Sequence, residues 1–290
     1  MFIWRIIKAI LYPGWALFSA FIILLSGLIN GGDITCSPNA ELIRTDKFTL
    51  DEALLMSQGI TTDGEYYYTA GSIAAIDLVG MGKWTVDGFE KVLYDHTAVP
   101  KELKKKYGSD HIGGISYYDG KIYAALEDES DTYNLIAIYN AEDLSYTGVY
   151  YDLGTEFLPD GIPYCAVDAE NGYLYTSPFD EIDYILAYNL DDMTFSHKIM
   201  LSEHLCRIQG AEVYNGKMYM SYDVSDSATE QVLTVDVKTG QVEKLFERTV
   251  SGRDHEAEGL TVYPMADGSL IHIADYDKLV SVNIRHYSVK

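Results

Sequence analysis

The amino-acid sequence predicts an all-β chain, a five-bladed β-propeller closed by an N-terminal strand and preceded by one transmembrane helix. Three observations carry this. A hairpin motif recurs five times at intervals of about fifty residues. Each copy is followed by further short strands of β-branched alternation. The last unit stops one strand short, and a candidate for the missing strand lies near the other end of the chain.

The first element is an uncharged run from Ala9 to Ile29. About twenty apolar residues span a bilayer. Arg5 and Lys8 precede the run and Asn30–Asp33 follows it, so the positive-inside rule places the remainder outside the cytoplasm. A cleaved signal peptide is the competing reading, against which stand the length of the run and the want of an Ala-x-Ala site. Cys36 raises a lipoprotein reading, but Asp33-Ile-Thr-Cys36 lacks Leu three residues before the cysteine. The chain therefore divides into an anchor or signal segment, 1–36, and a propeller domain, 37–290, large enough for a substantial core.

The five hairpins are Gln58–Tyr68, Gly114–Tyr123, Ala166–Tyr175, Gly210–Tyr219 and Gly259–Ile271. Each is a short apolar strand, an Asp-Gly or Asn-Gly turn, and a second strand carrying Tyr or Ile. Such dipeptides supply the positive φ of a type I′ turn. Third strands follow at Leu135–Tyr139, Ile185–Tyr188, Val232–Val237 and Leu279–Ile284, with a fourth at Val242–Phe246. Four antiparallel strands make a blade. Only six residues follow Ile284, and Glu41–Leu50 is the expected closing strand. Val99–Tyr107 reads as a short surface helix between blades 1 and 2.

The formal net charge of −23 disfavours nucleic acid and anionic lipid surfaces, which need basic patches. It suits solubility, cations or cationic ligands. Cys165 and Cys206 fall near the inner strands of consecutive blades, where both a disulfide and two free thiols are open. No zinc spacing is present. The 25 tyrosines include Tyr123, Tyr175 and Tyr219 at one repeated position, which argues for packing between blades. His96, His197, His204, His272 and His286 show no partner spacing.

Inner strands line a propeller channel, and the segments entering them share a face with the loops joining second and third strands. Entering the inner strands are Ser57 and Gln58, Asp110 and His111, Asp160, Arg207 and Gln209, then His255, Glu256 and Glu258. The loops add Asp pairs at 128–131, 180–183, 223–226 and 275–277, which also read as ordinary turn caps. Convergent oxygen ligands from several blades suit calcium. The expected ligands are Asp110, Asp160, Glu212 and Glu258. The expected ligand-binding residues are Gln58, His111, Gln209 and His255. Crowded carboxyl groups also suit general acid–base chemistry, with His255, His111, Glu258 and Glu212 as its candidate residues.

Ser57–Gly64 resembles the Gln-Gly-Leu-Thr signature of the plant-type glutaminyl cyclotransferases, which are five-bladed. Gly210–Tyr219 is similar to that family's Glu-Leu-Glu segment, with Glu212 in the matching place. The resemblance implies cyclase chemistry in the channel, although Gly113 stands where the family has its catalytic Glu. Ala166–Gly172 is similar to a strand of the olfactomedin domains, five-bladed propellers with a buried calcium site. The leading expectation is a membrane-anchored extracytoplasmic propeller that binds a small molecule or protein partner at an acidic face, organised by calcium. The alternatives are a hydrolase or cyclase in the same channel and a scaffold without a small ligand.

Overall fold

The computed structural model describes residues 34–49, 55–73, 78–223, 229–250, 255–277 and 281–290. The expected membrane span at 9–29 lies outside them. Among the described residues no helix is long and apolar enough to cross a membrane.

Five antiparallel sheets form the propeller. β1 (Ile34–Cys36) and β2 (Ala40–Thr49) come first in the chain. Blade 1 is β3 (Gly59–Thr62), β4 (Tyr66–Ile73), β5 (Leu78–Thr85) and β6 (Lys91–Asp95). Blade 2 is β7 (His111–Tyr118), β8 (Lys121–Glu127), β9 (Leu135–Asn140) and β10 (Tyr146–Asp152). Blade 3 is β11 (Ala166–Asp168), β12 (Tyr173–Thr176), β13 (Ile182–Asn189) and β14 (Phe195–Leu205). Blade 4 is β15 (Ile208–Tyr214), β16 (Lys217–Tyr222), β17 (Thr229–Asp236) and β18 (Val242–Val250). Blade 5 is β19 (His255–Val262), β20 (Ile271–Asp277) and β21 (Ser281–Val289).

β2 completes blade 5 as expected, pairing with β21 from Ala40 opposite Val289 to Thr49 opposite Ser281. β1 adds a fifth strand to blade 4, with Ile34 opposite Val250. The N-terminal segment thus grips two adjacent blades.

Two inner hairpins have the expected type I′ turn, with positive φ at both Asp119 (47°) and Gly120 (72°), and at Asn215 (50°) and Gly216 (74°). The others differ because their loops are longer. β3 and β4 are joined by Asp63–Glu65, where Asp63 Oδ1 accepts the Glu65 and Tyr66 amides and Gly64 takes the positive φ (89°). Blade 3 uses a four-residue connection, 169–172, and blade 5 an eight-residue one, 263–270. The expected helix is α1 (Lys101–Tyr107). It ends at Gly108, whose left-handed φ of 77° lets its amide reach Lys104 O at 3.0 Å.

One apolar cluster fills each seam between blades. At the seam between blades 5 and 1, Phe48 of β2 packs on Trp84 and Phe89, with ring centroids 5.6 and 5.2 Å apart. The repeated tyrosines pack in these seams, Tyr175 being 2% exposed. The seam between blades 4 and 5 also buries charge, with Arg248 bonded to Glu230 and Asp275, and Arg285 bonded to Asp275. All three cysteines are free. The Cys165 thiol donates to Tyr123 O at 3.3 Å, whereas Cys206 lies 3.9 Å from the Tyr222 hydroxyl.

Candidate functional site

The inner strands meet at a waist made by glycine. A Cβ on Gly59 would lie 2.8 Å from Gly113 O, one on Gly210 2.6 Å from Glu258 O, and one on Gly259 2.7 Å from Gln58 O. Gly114 meets Tyr164 of blade 3 in the same way, at 2.8 Å. The glycines let the inner strands of blades 1, 2, 4 and 5 each lean on the next.

Two residues beyond these positions, the blades present Thr61, Ser116, Ala166, Glu212 and Thr261. Register confirms the equivalence in blades 1 to 4. Thr61, Ser116, Ala166 and Glu212 stand opposite Tyr68, Tyr123, Tyr175 and Tyr219. Blade 3 is displaced by two residues relative to the repeat read from sequence, because its inner loop is longer. Tyr164, not Ala166, occupies the glycine position.

Glu212 is the one carboxyl group in this ring. Thr61 Oγ1 and Thr261 Oγ1 donate to its Oε2 at 3.2 and 3.1 Å, and Ser116 Oγ to its Oε1 at 3.4 Å. The same Thr61 and Ser116 hydroxyls accept the Tyr117 and Val167 amides at 3.0 and 3.1 Å. Each hydroxyl therefore carries a hydrogen-bond chain from a neighbouring blade's backbone to Glu212. Removal from water raises the Glu212 pKa to about 8, against the pull of the three hydroxyls. Part of the side chain stays accessible.

A second acidic group forms where blades 2 and 3 meet. Glu127, at the end of β8, accepts the Ile162 amide. Burial raises its carboxyl to about 7, helped by Asp131, Asp160 and Asp128. Gly161, at a φ of 101°, leaves the space Glu127 occupies, since a Cβ there would fall 2.5 Å from Oε1. Asp160 itself accepts the Phe179 and Asp180 amides at 3.1 and 2.7 Å, so it also fixes the β12–β13 loop. Asp128 caps its own turn through the Thr132 and Tyr133 amides.

His111 stands opposite Glu127 in the β7–β8 ladder. Burial lowers its pKa and Asp110 raises it in part. Gln58 and Gln209 are half-buried at the entrances of β3 and β15, and Glu258 is buried. The Ser57 hydroxyl beside Gln58 is buried without a partner among the described residues. Arg207, in the left-handed region (φ 53°), closes the mouth between blades 4 and 5. It donates to Asp223 at 3.0 and 2.6 Å and lies 3.7 Å from Glu256. His255 opens β19 opposite Asp277, and its side chain lies outside the described residues.

Asp110 and Asp160 thus sit at the rim of blades 2 and 3, and Glu212 lies on the axis among hydroxyls. Among the described residues no three His, Cys, Asp or Glu side chains converge in an arrangement able to hold a metal ion. Sequence reasoning missed Glu127 and the hydroxyls of Thr61, Ser116 and Thr261. The signal for the hydroxyls was a polar residue two places after the repeated glycine.

No known protein family matches the sequence, and no curated protein does. Among solved structures the chain is similar to a bifunctional GH43-CE protein of Bacteroides eggerthii. The identity is 14%, over 83% of this chain and 34% of that one, at a TM-score of 0.54; the chain spans about a third of that protein. It is also similar to a chain of a nidogen/laminin complex (12% identity, 69% and 67% covered, TM-score 0.42). A third is a chain of Kuenenia stuttgartiensis hydrazine synthase (11%, 75% and 55%, 0.40). At 14% identity the first of these likenesses is one of fold alone, and the five-sheet topology is that of a β-propeller, an architecture that supports ligand or partner binding.

Proposed function

We propose that the chain is an extracytoplasmic propeller, held at a membrane by the run Ala9–Ile29, that binds a ligand or protein partner at the acidic face around its channel, with Glu212 at the floor of the site. The observation that supports this is the axial carboxyl group, held by hydroxyls from three other blades. Burial, with no cation beside it among the described residues, raises the Glu212 pKa to about 8, above neutrality. A cationic group reaching it restores the charged form, so such a ligand binds in exchange for a proton. The acidic rim draws cations toward the mouth. Calcium belongs to this reading as one probe among several. Oxygen donors are present, but the described residues do not form a calcium cage.

The test is calorimetric titration of the full chain in detergent at pH 7, in two buffers of different ionisation enthalpy. Calcium, spermidine and a quaternary ammonium compound are the probes. The expected result is binding of a cationic probe with release of close to one proton, lost in Glu212→Gln. Equal binding by Glu212→Gln, with no proton released by either protein, removes Glu212 from the site.

Glu127 and Glu212, both raised into the neutral range, favour a second reading. Groups titrating near the working pH serve best as general acids and bases. Turnover of lactones, phosphoesters or N-terminal Gln peptides that falls at least a hundredfold in Glu212→Gln would establish a hydrolase or cyclase instead.

A further inference from the structure

His272 of β20 and His286 of β21 stand opposite each other, with their Nδ1 atoms 2.6 Å apart. Both rings are buried. At the outer ends of the pair, His272 Nε2 lies 2.8 Å from Tyr263 O, and His286 Nε2 lies 3.0 Å from Asp46 Oδ2. A backbone carbonyl only accepts, and so does an ionised carboxylate. The three contacts Tyr263–His272, His272–His286 and His286–Asp46 therefore each need a proton supplied by a ring nitrogen. Two neutral imidazoles carry two protons in all.

We propose that His272 and His286 share three ring protons, so that the pair carries one positive charge and forms a pH-sensitive clasp holding the N-terminal strand β2 on blade 5. Charge balance supports the count. Among the described residues the groups facing the pair are Arg44 and Asp46 on β2, Asp267 in the loop before β20, and the uncharged Tyr67 hydroxyl on β4. Arg44 bridges Asp46 at 3.0 Å and Asp267 at 3.2 Å. One guanidinium against two carboxylates leaves a single negative charge, which the third proton neutralises. The competing arrangement has neutral His286 accept from Arg44 Nη2. It uses a longer contact of 3.5 Å and leaves two lone pairs opposed at the Asp46 contact.

The two rings are not equivalent. Burial, with His286 beside it, presses His272 down to about 3, which makes it the neutral member. Burial, with the Arg44 charge, leaves His286 below its ordinary value too, against the upward pull of its Asp46 hydrogen bond. The proton count and the surrounding negative charge place the extra proton on His286. The clasp therefore has an optimum. As pH rises through the pair's own titration, the third proton leaves and the Asp46 contact loses its hydrogen. As pH falls below the ordinary histidine value of about 6.5, the unfolded chain takes up two protons where the folded pair holds one. Stability from the clasp falls on both sides.

The experiment is nitrogen NMR of the full chain in detergent at pH 7, with 15N-labelled histidine, in the native protein and in Asp46→Asn. The expected spectrum shows His286 as an imidazolium, His272 as the neutral Nε2–H tautomer, and a far-downfield proton between the two Nδ1 atoms. In Asp46→Asn the new amide can donate to His286 Nε2, so the pair should hold one proton fewer. Two neutral rings in the native protein at pH 7 would overturn the proposal. So would an unchanged proton count in Asp46→Asn, a variant that leaves both rings and their packing in place.

Discussion

Arg248 of β18 donates from Nη1 to Asp275 Oδ2 of β20 at 2.6 Å, and from Nη2 to the second oxygen of the same carboxylate. This two-point contact crosses the seam between blades 4 and 5 with both partners buried. Glu230 takes the remaining Nη2 contact, and Tyr287 accepts from Nη1 at 2.8 Å. Burial pushes the Asp275 pKa upward, and Arg248 and Arg285 reverse this, so the carboxyl ends below its ordinary range.

Breaking such a pair leaves an uncompensated buried charge, which costs about 3–5 kcal/mol. Asp275→Asn is expected to lose that much in urea unfolding at pH 7. Because the folded-state pKa is depressed, the contribution of Asp275 is present above the unfolded value of about 3.9 and is lost as pH falls through the folded one. The gap between the native protein and Asp275→Asn should therefore narrow below pH 4. A constant gap down to pH 2 would contradict the ionised pair.

Glu212 should behave in the opposite sense. Its folded-state pKa is raised to about 8, so the native state holds a proton that the unfolded chain releases near 4.3. Stability attributable to Glu212 declines as pH rises from that value to about 8 and is level beyond. Glu212→Gln keeps a hydrogen-bonding group among Thr61, Ser116 and Thr261 and removes the titration. Its stability is expected to exceed that of the native chain by a few kcal/mol at pH 8, and to match it near pH 4. Parallel profiles over this range would show that Glu212 is ionised in the fold.

The blade count and the closing strand were legible because their signals are local. Asp119-Gly120 and Asn215-Gly216 specify tight turns by backbone sterics alone, and Glu41–Leu50 was picked out because the last unit stops one strand short. β1 was not legible, since three residues of a 3-residue strand, Ile34–Cys36, carry no periodicity. The register of blade 3 was misread because the four residues from Ala169 to Gly172 lengthen its loop while keeping the Asn-Gly pair. Glu212 was found by its place on an inner strand. Its hydroxyl partners were not, because Thr and Ser are ordinary strand residues until register shows them converging. The pairing of His272 with His286 was available in principle, since both lie seven residues from the centre of the β20–β21 connection, at position 279. A hairpin places such residues opposite each other.

The glycine waist gives a steric prediction. A Cβ on Gly259 would meet the Gln58 carbonyl and the Ile60 amide, both at 2.7 Å. These are backbone atoms of an inner strand and cannot turn aside as a side chain would. Gly259→Ala is expected to cost about 1–3 kcal/mol, the usual price of overpacking, and to loosen the hydroxyl contacts to Glu212. Thermal unfolding measures the first effect. An upward shift in solvent access to the Glu212 carboxyl, read as a lower pKa by carbon NMR, measures the second. A variant as stable as the native chain would mean that blades 5 and 1 can separate at no cost.

The closing strand gives the last prediction. Phe48 lies on β2, far in sequence from Trp84 and Phe89, and it is buried between blades 5 and 1. It joins blade 5 by backbone pairing and blade 1 by ring packing, so it fastens β2 at the seam where the ring closes. Removing a buried phenyl ring costs about 3–5 kcal/mol when the site cannot collapse. Phe48→Ala should lose this amount in urea unfolding. Amide exchange should then quicken first in β2 and β21, while β8, at the centre of blade 2, keeps its protection, because β2 is the strand least tied to its neighbours in sequence. Uniform loss of protection across all five blades would instead show that the ring opens as a single cooperative unit.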